Sequence, residues 1–292
     1  MHDLYSTQIE WIQAIHQIRS PIIDCFFTFF DFFDRQEFIF ILVPAVWMGY
    51  RWKVGLKLFY VLLLSGICNY ALKQVFELPR PFYVDPALGV IQVAGYGFPS
   101  GAAQSAILLP GILLYYYRKK WGWIVAANFF FWISLSRVYL GIHFPTDILG
   151  GWMVGILLLA VFIYVFPRIE KWLDDRSLRT LLWISQVIPL GIVAIVPILQ
   201  IARLGFVASG VGLGVAICGF YQIFLNIPKT RGEMFLRAFL GAAGIFILYY
   251  LMLQLPIENK LFKTFIQFFP LGVWLGLGST LSWRGFRKLW RF

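Results

Sequence analysis

The residues most able to do chemistry in this sequence fall into three short groups, each at the end of a long apolar segment. They are Lys73 and Arg80 in the first group, Ser100 and Gly101 in the second, and Arg137, His143 and Asp147 in the third. Lysine and arginine bind phosphate oxygens, and a histidine held by a carboxylate is a good nucleophile or base. Together the groups predict a site that surrounds a phosphate with cations and presents a nucleophile to it.

Two of these groups have spacings that suit such chemistry. Asp147 follows His143 by four residues, so its carboxylate can hold one imidazole nitrogen while the other faces a substrate. Ser100 and Gly101 open an apolar segment, and the start of a helix offers free N–H groups and a positive dipole end to an anion. A helix cap, an interfacial anchor or a buried histidine would explain each element alone. Their joint occurrence favours an anion-binding active site.

The composition places this site in a membrane. Hydrophobic residues make up 60% of the chain and charged residues 13%, whereas about a quarter of the residues in a soluble domain are charged. The net charge of +11 invites a nucleic-acid interpretation, but the basic residues are scattered among short connections and form no basic face. We therefore expect a bilayer as a partner and no nucleic acid.

The apolar pattern predicts an all-α, polytopic bundle of about ten membrane helices, because a hydrocarbon core of ~30 Å needs roughly 20 residues per helix. The predicted segments are approximately 20–34, 36–51, 56–72, 100–118, 122–140, 147–167, 180–200, 204–227, 234–255 and 262–283. The chemistry-bearing residues all precede the charged stretch that begins after Pro167. We therefore predict two domains, a six-helix membrane core over 1–167 and a four-helix membrane extension over 168–292.

The N-terminal part of the chain contains two aspartates and, before them, a regular spacing of isoleucines. Asp24 and Asp31 are seven residues apart and share a helical face. A capping or solvated role is the expectation for them, with an ion pathway as the alternative. Before them, Ile9, Ile12 and Ile15 recur at helical spacing, which predicts an amphipathic helix lying on the membrane.

Lysine and arginine fall unevenly on the two sides of this helical path. Most of the 25 lie on the side that holds residues 118–120 and 284–291, while the opposite side includes Lys73, Arg80 and Arg137. Because cytoplasmic loops carry the excess of basic residues, we expect the site to face the periplasm or another extracytoplasmic space, with both termini in the cytoplasm. The predicted location is a bacterial inner membrane, and an organelle membrane is the alternative.

The three groups, in order and spacing, resemble the signature motifs of the type-2 phosphatidic acid phosphatase superfamily. The matching stretches are Lys73 to Arg80-Pro81, Pro99-Ser100-Gly101-Ala102, and Ser136-Arg137 to His143 and Asp147. The resemblance covers approximately residues 20–167. It implies a six-helix membrane core and a metal-independent phosphatase that passes through a phosphohistidine. The added helices and the context of the second motif are similar to the sphingosine-1-phosphate phosphatase-like branch.

The resemblance also assigns roles residue by residue. It implies that His143 is the nucleophile and Asp147 its orienting partner. The residues that would hold the phosphoryl oxygens are Lys73, Arg80, Ser100, Gly101 and Arg137. No metal or other cofactor is predicted, and the sequence makes no prediction of oligomeric state.

The sequence departs from the family pattern at Ala102, where the family has a histidine that protonates the leaving oxygen and later activates water. Losing a positioned acid or base costs about 10²–10⁴ in rate, so we expect the chain to be nearly inactive on simple phosphate monoesters. Three explanations stay open. They are a deliberate replacement that stops turnover, a natural pseudo-phosphatase that binds lipid, and an enzyme that tolerates the loss, for which a diphosphate would be an apt substrate.

The function predicted from the sequence is dephosphorylation of a lipid phosphate or diphosphate at the non-cytoplasmic face, disabled in this chain by Ala102. The alternative from another class is a non-catalytic phospholipid binder or a lipid transporter. Phosphotransfer to an acceptor other than water is a third hypothesis. A haloperoxidase is disfavoured, since relatives with that activity are soluble.

Overall fold

The computed structural model describes residues 2–290, and this range contains helices but no β-strand, which confirms the all-α prediction. The helices before Pro167 are α1 (His2–His16), α2 (Pro21–Asp31), α3 (Gln36–Gly49), α4 (Trp52–Phe76), α5 (Pro81–Val84), α6 (Gly101–Tyr116), α7 (Lys120–Tyr139) and α8 (Pro145–Ala160). Those that follow are α9 (Phe166–Asp174), α10 (Leu178–Ile195), α11 (Leu199–Phe220), α12 (Arg231–Leu253), α13 (Lys260–Val273) and α14 (Ser279–Trp290). Single π-helical turns, Val161–Val165 and Trp274–Gly278, join α8 to α9 and α13 to α14.

Several of these helices begin where a short polar side chain can satisfy an otherwise unpaired backbone N–H group. Such an N-terminal cap contributes about 1 kcal/mol to helix stability. The capping oxygens belong to Ser20 before α2, Ser100 before α6, Ser177 before α10, Thr230 before α12 and Asn259 before α13. In α2, Pro21 follows the cap directly and supplies a backbone angle already suited to a helix.

Six helical stretches are long and apolar enough to cross a membrane. They are Trp52–Val84, Pro145–Asp174, Leu178–Ile195, Leu199–Phe220, Arg231–Leu253 and Lys260–Leu289. The last four confirm the predicted C-terminal membrane helices. The protein is therefore an integral membrane protein with an all-helical fold.

Length and hydropathy thus identify six of the ten predicted membrane helices among the described residues. Of the six helices predicted before Pro167, two reach the required length and hydropathy among the described residues. The helices Gln36–Gly49 and Gly101–Tyr116 have 14 and 16 residues, and at 1.5 Å per residue both are shorter than a hydrocarbon core of ~30 Å. The helix Lys120–Tyr139 is long enough, but polar residues within it lower its hydropathy. The helix Pro21–Asp31 has 11 residues.

The described chain divides into two compact units. The first unit is Met1–Phe38 with Leu64–Pro167, and the second is Ile39–Leu63 with Arg168–Phe292. All eight sequence-predicted site residues lie in the first unit. The functional division into 1–167 and 168–292 stays a prediction.

Within the first unit, α6 packs closely against α8 because glycines remove the side chains between them. A Cβ atom at Gly151 would lie 2.5 Å from the carbonyl oxygen of Ser100, and one at Gly155 would lie 2.8 Å from that of Gln104. Both separations are shorter than any van der Waals contact. The start of α6 is therefore held directly against the first turns of α8.

The predicted N-terminal helix forms as α1, but its apolar face is buried within the first unit. Ile12 packs with Leu88 and Phe144 in a hydrophobic cluster. The amide oxygen of Gln8 accepts hydrogen bonds from Thr146 N at 2.9 Å and from its hydroxyl at 3.0 Å. This helix therefore stabilises the start of α8, and the expectation that its apolar face rests on the membrane was wrong.

Within the second unit, the glycine-rich helix α11 packs closely against α13. A Cβ atom at Gly210 in α11 would lie 2.2 Å from the carbonyl oxygen of Phe269 in α13, and one at Gly272 would lie 2.2 Å from that of Val207. Small residues in membrane helices allow this backbone approach. The helices α11 and α13 therefore form a tight pair.

Candidate active site

Arg80 links two loops of the first unit. It lies between α4 and α5 and is buried. Its Nε donates to the carbonyl oxygen of Gly95 at 2.8 Å, and its Nη1 donates to that of Ile142 at 2.9 Å. The same Nη1 lies 3.3 Å from Nε2 of His143. The guanidinium therefore reaches the ring that the sequence predicted as the nucleophile.

Lys73 fixes the loop that leads to α6. It stands in the last turn of α4, and its Nζ donates to the carbonyl oxygens of Tyr96 at 2.5 Å and Gly97 at 3.1 Å. Gly97 is required there, because a Cβ atom would lie 2.9 Å from Oδ2 of Asp147. The partners of Lys73 are neutral carbonyl groups, so its positive charge is not cancelled by a carboxylate at these contacts.

His143 and Asp147 are paired, as the four-residue spacing predicted. Asp147 lies in the first turn of α8, and its Oδ2 is 3.4 Å from Nδ1 of His143 and accepts a hydrogen bond from Phe144 N at 2.9 Å. Arginine can only donate, so the contact with Arg80 assigns Nε2 of His143 as an acceptor and places the proton on Nδ1. The ring then donates to Asp147 and presents a lone pair at Nε2.

The surroundings keep this imidazole neutral. His143 is 3% exposed and lies in the connection between α7 and α8. Its pKa is well below its usual range, because burial disfavours the charged ring and because Arg80, Lys73 and Arg137 add positive charge nearby. A neutral ring at pH 7 keeps a lone pair on Nε2, which accepts from Arg80 here and could attack phosphorus once a substrate phosphate binds that guanidinium.

Arg137 has one donor bound to an acidic group and one without a partner. The residue is 0% exposed, and its Nη1 lies 3.0 Å from Oδ1 of Asp31 and 3.7 Å from Oδ2 of Asp34. Its Nε donates to Ser136 Oγ at 3.1 Å. Its Nη2 is buried and has no hydrogen-bond partner among the described residues. A phosphate oxygen is the kind of acceptor that such a group requires.

The start of α6 also belongs to the candidate site. Ser100 is buried and caps this helix, with its Oγ accepting from Ala103 N at 3.4 Å. Its own N–H donates to the carbonyl oxygen of Asp147 at 3.0 Å. Asn69 of α4 donates to the carbonyl oxygen of Pro99 at 3.0 Å. These bonds place the helix start, including Gly101, beside Asp147.

Comparison with known proteins assigns a family to this arrangement. Residues 54–171 match the model of the PAP2 superfamily. These residues form a PAP2 superfamily domain. The sequence prediction of a type-2 phosphatidic acid phosphatase relative is therefore confirmed, and the domain is that of a membrane phosphatase family.

The relatives of this PAP2 domain act on several lipid phosphates. A phosphatidylglycerophosphatase B from Bacillus subtilis is 29% identical over 155 residues, covering 48% of this chain and 74% of that protein. An undecaprenyl-diphosphatase from Sulfolobus acidocaldarius is 28% identical over 169 residues, covering 56% and 81%. A sphingosine-1-phosphate phosphatase 1 from Rattus norvegicus is 24% identical over 261 residues, covering 78% and 60%.

A solved structure supports the fold of the PAP2 domain. The crystal structure of a transmembrane PAP2-type phosphatidylglycerolphosphate phosphatase from Bacillus subtilis is 27% identical, with a TM-score of 0.50. The similarity covers 58% of this chain and 89% of that one. The helical arrangement around the candidate site is therefore one that a membrane phosphatase also has.

Ala102 occupies the second-motif position of the PAP2 domain and lies among apolar side chains. It is 1% exposed and forms a hydrophobic cluster with Ala106 and Ile133. Phe30 and Phe33, together with two aromatic residues of α7, pack against this cluster. The position follows Ser100 and Gly101 at the start of α6, but its methyl group can neither donate nor accept a proton.

The structure adds polar residues to the PAP2 domain that sequence reasoning did not select. Asp31 was expected to be a cap or solvated, but it is buried and bonded to Arg137. Asp34, Asn69 and Gln8 also support site residues through the contacts given above. Each lies far along the chain from the group it supports, so spacing within the motifs gave no signal for them.

Proposed function

We propose that this protein is a metal-independent phosphatase of a lipid phosphate or lipid diphosphate, with His143 as its nucleophile. The observation that supports this best is the continuous contact from Arg80 through His143 to Asp147, at 3.3 and 3.4 Å. These two contacts place a cation, a neutral nucleophile and an orienting carboxylate next to one another. The lipid substrates of the relatives and the membrane-spanning helices agree with a phosphorylated lipid.

The proposed reaction has two steps. Nε2 of His143 attacks phosphorus, a P–N bond forms, and the bond from phosphorus to the leaving oxygen breaks. As the phosphohistidine forms, the imidazole becomes positive, and the Asp147 carboxylate offsets that charge. Water then attacks phosphorus and loses a proton to the solvent, the P–N bond breaks, and inorganic phosphate leaves with the nucleophile restored.

Four other groups stabilise the charge that develops on the phosphoryl oxygens. Arg137 supplies its unpartnered Nη2, and Arg80 and Lys73 hold positive charge close to His143. The start of α6, with Ser100 and Gly101, adds a positive dipole end. Donors fixed before the substrate arrives stabilise the transition state most effectively, because they need no rearrangement during the reaction.

The PAP2 domain of this chain lacks the residue that would protonate the leaving oxygen. A lipid alkoxide leaves slowly without a proton, so the native chain should turn over monoesters about 10²–10⁴-fold more slowly than a variant with histidine at this position. A diphosphate is affected less, because its leaving group is itself a phosphate and needs less protonation. Ala102 is therefore proposed to disable the monoester reaction.

The site is proposed to face the non-cytoplasmic side of a bacterial inner membrane, with both termini in the cytoplasm. The unequal distribution of lysine and arginine supports this orientation. The substrate headgroup would then be reached from the outer leaflet.

Phosphate release by the purified native chain and its Ala102→His variant tests the proposal. The panel is phosphatidic acid, sphingosine-1-phosphate, phosphatidylglycerol phosphate and a polyprenyl diphosphate. We expect histidine to raise turnover of one monoester by about 10²-fold or more, and His143→Asn to abolish that gain. Thermal unfolding is measured in parallel, because an imidazole is larger than the methyl group that Ala102 places in its hydrophobic cluster. A stable variant that stays silent on the whole panel would refute the phosphatase proposal.

The apolar packing of Ala102 favours a second candidate, a lipid-binding pseudo-phosphatase. In that case the cations and His143 would hold a phosphorylated headgroup without cleaving it. The native chain would retain phosphatidic acid during purification, and Ala102→His would bind it without releasing phosphate.

A further inference from the structure

The second unit contains a basic cavity made of residues that the PAP2 family model does not cover. The cavity measures about 600 Å³ and lies between the connection after α11, the second turn of α12, and α14. Its cationic lining residues are Arg237, Arg284, Arg287 and Lys288. None of the described residues that line it is acidic. A concentration of positive charge in a concave site favours an anion.

Two buried donors in this cavity lack a partner within the described range. Arg237 is 3% exposed and Trp283 is 6% exposed, yet Arg237 Nε and Trp283 Nε1 make no hydrogen bond. The guanidinium of Arg237 lies 5.0 Å from the ring of Trp283, so both donors belong to one wall. A buried donor without a partner costs about 1–3 kcal/mol, and an oxygen-rich ligand would remove that cost.

The rest of Arg237 is already held in place. Its Nη1 donates to the carbonyl oxygen of Asn226 at 2.6 Å, and its Nη2 forms an ion pair with Glu233. Glu233 is in turn fixed by a 2.8 Å bond from Lys229 N. Glu233 therefore offsets the charge of Arg237 and fixes the orientation of this central guanidinium.

We propose that this cavity binds the phosphate headgroup of an anionic membrane lipid. The cavity opens at the ends of two membrane-spanning helices, and its wall also contains Phe224, Leu225 and Leu281. An anionic lipid matches both parts of this lining, since its phosphate can bind the cationic side chains while its glycerol and acyl chains contact the apolar ones. On the proposed orientation this end faces the cytoplasmic leaflet, where anionic lipids attract basic residues by about 1 kcal/mol each.

A steric variant tests the site without altering any charge. A Cβ atom at Gly285, which lines the cavity, would meet nothing within 4 Å, and the same is true of Gly191 in α10, which does not line it. Gly285→Leu should therefore fill part of the cavity, and Gly191→Leu is its matched control. Both substitutions replace a helical glycine with a stronger helix former, so both variants should fold.

A charge variant provides an independent test. Arg284→Gln with Lys288→Gln removes two lining cations. Lys171→Gln with Arg179→Gln removes two exposed cations of the same unit that do not line the cavity. The two double variants have equal net charge, so a difference between them reports the cavity and not the overall charge.

The measurement is retention of phosphatidylglycerol against phosphatidylcholine by the full-length protein, counted by native mass spectrometry after release from mixed nanodiscs. Phosphatidylglycerol has no terminal phosphate to cleave, so the result does not depend on phosphatase activity. We expect native protein and both controls to retain phosphatidylglycerol preferentially, and Gly285→Leu and the Arg284/Lys288 variant to retain roughly tenfold less. Equal retention by all five proteins, or no preference over phosphatidylcholine, would overturn the proposal.

Inorganic phosphate identifies the source of the anion. The increase in the midpoint of thermal unfolding on addition of inorganic phosphate is compared between the native chain and Gly285→Leu. Both proteins have the same candidate active site. If phosphate stabilises the native chain more, while phosphatidylglycerol is not retained, the cavity binds a soluble anion and the lipid assignment is wrong. Preferential lipid retention with equal phosphate effects supports a headgroup site.

Discussion

Arg137 and Asp31 form a buried ion pair that joins α7 to α2, with 3.0 Å between Nη1 and Oδ1. The same carboxylate holds Arg35 through its other oxygen at 2.8 Å. Asp31 therefore fixes one side of the Arg137 guanidinium and leaves Nη2 for a ligand. Asp31, which lies outside all three motifs, therefore positions Arg137, the arginine of the third motif.

Asp31→Asn should weaken both the fold and the site. It replaces the nearer of the two carboxylates beside the fully buried charge of Arg137 with a neutral acceptor, and we expect unfolding to become easier by about 2 kcal/mol. Thermal unfolding in detergent measures this change, with Asp175→Asn, an exposed carboxylate, as the control. In the Ala102→His background we also expect KM for the lipid phosphate to rise. Unchanged stability and KM would show that Asp31 does not position Arg137.

Asp147→Asn should reduce catalysis far more than stability. An amide can still accept the hydrogen bond from Phe144 N and so preserve the start of α8. Because Oδ2 makes both contacts, the opposite amide orientation gives up the bond from Phe144 N and points the NH₂ group at Nδ1 of His143. That orientation reverses the tautomer and removes the lone pair from Nε2. In the Ala102→His background we expect kcat to fall roughly 10²-fold or more. A fall that merely follows the loss of folded protein would contradict an orienting role.

The low pKa of His143 predicts a specific dependence of stability on pH. Below pH ~6.5 an unfolded histidine binds a proton, while the folded ring stays neutral until its lower pKa is reached. The unfolded state thus holds more protons in this window, so His143 destabilises the fold increasingly as pH falls from ~6.5 toward the folded pKa. The groups facing it are Asp147, Arg80, Lys73 and Arg137.

The comparison of native protein with His143→Asn tests this dependence. We expect the native midpoint of thermal unfolding to fall more between pH 7.5 and pH 5.5 than that of the variant, which cannot titrate at this position. The two curves should be parallel above pH 7.5. Parallel curves over the whole range would mean that the pKa of His143 is the same in the folded and unfolded states.

Gly151→Ala should disturb the contact of α8 with the start of α6. Its methyl group would lie 2.5 Å from the carbonyl oxygen of Ser100 and 2.7 Å from Ala103 Cβ, and such overpacking costs about 1–3 kcal/mol. The matched control is Gly191→Ala, which meets no atom within 4 Å and should stabilise α10 by up to about 1 kcal/mol. Thermal unfolding that shifts the same way in both would show that the backbones are not in close contact.

Membrane-impermeant maleimide labelling tests the proposed orientation. In intact cells, with the three native cysteines replaced, Ala87→Cys near the site should react, and Lys119→Cys in the α6–α7 connection should react after lysis only. Both positions are exposed in the fold, so accessibility to the reagent is limited by the membrane. The reverse pattern would place the site in the cytoplasm.

Residue types predicted the reactive part of this site better than its supports. Lys73, Arg80, His143 and Asp147 are charged or titratable, stand at the ends of apolar segments, and come together in the structure as their spacing indicated. The carbonyl groups that hold Lys73 and Arg80 are backbone atoms, which no residue type reveals. Asp31 could not be selected, since 106 positions separate it from Arg137.

Helix existence was also more predictable than membrane crossing. Apolar runs identified α3, α6 and α7 correctly, but a run of given hydropathy does not show where caps and charged turns shorten it. The predicted segment 100–118 forms a helix that begins after the Ser100 cap and ends at Tyr116, with 16 residues. The criterion of length and hydropathy therefore selects fewer helices before Pro167 than the apolar runs do.

The glycine contact between α6 and α8 also restricts how a lipid can reach the nucleophile. There is no room between these helices for a methyl group at Gly151 or Gly155, so an acyl chain cannot pass between them. The interface between α6 and α8 is therefore closed to lipid. A two-tailed lipid must therefore enter between other helices of the domain. Selection against wide acyl chains would occur at that entrance and not at the residues that bind the phosphate.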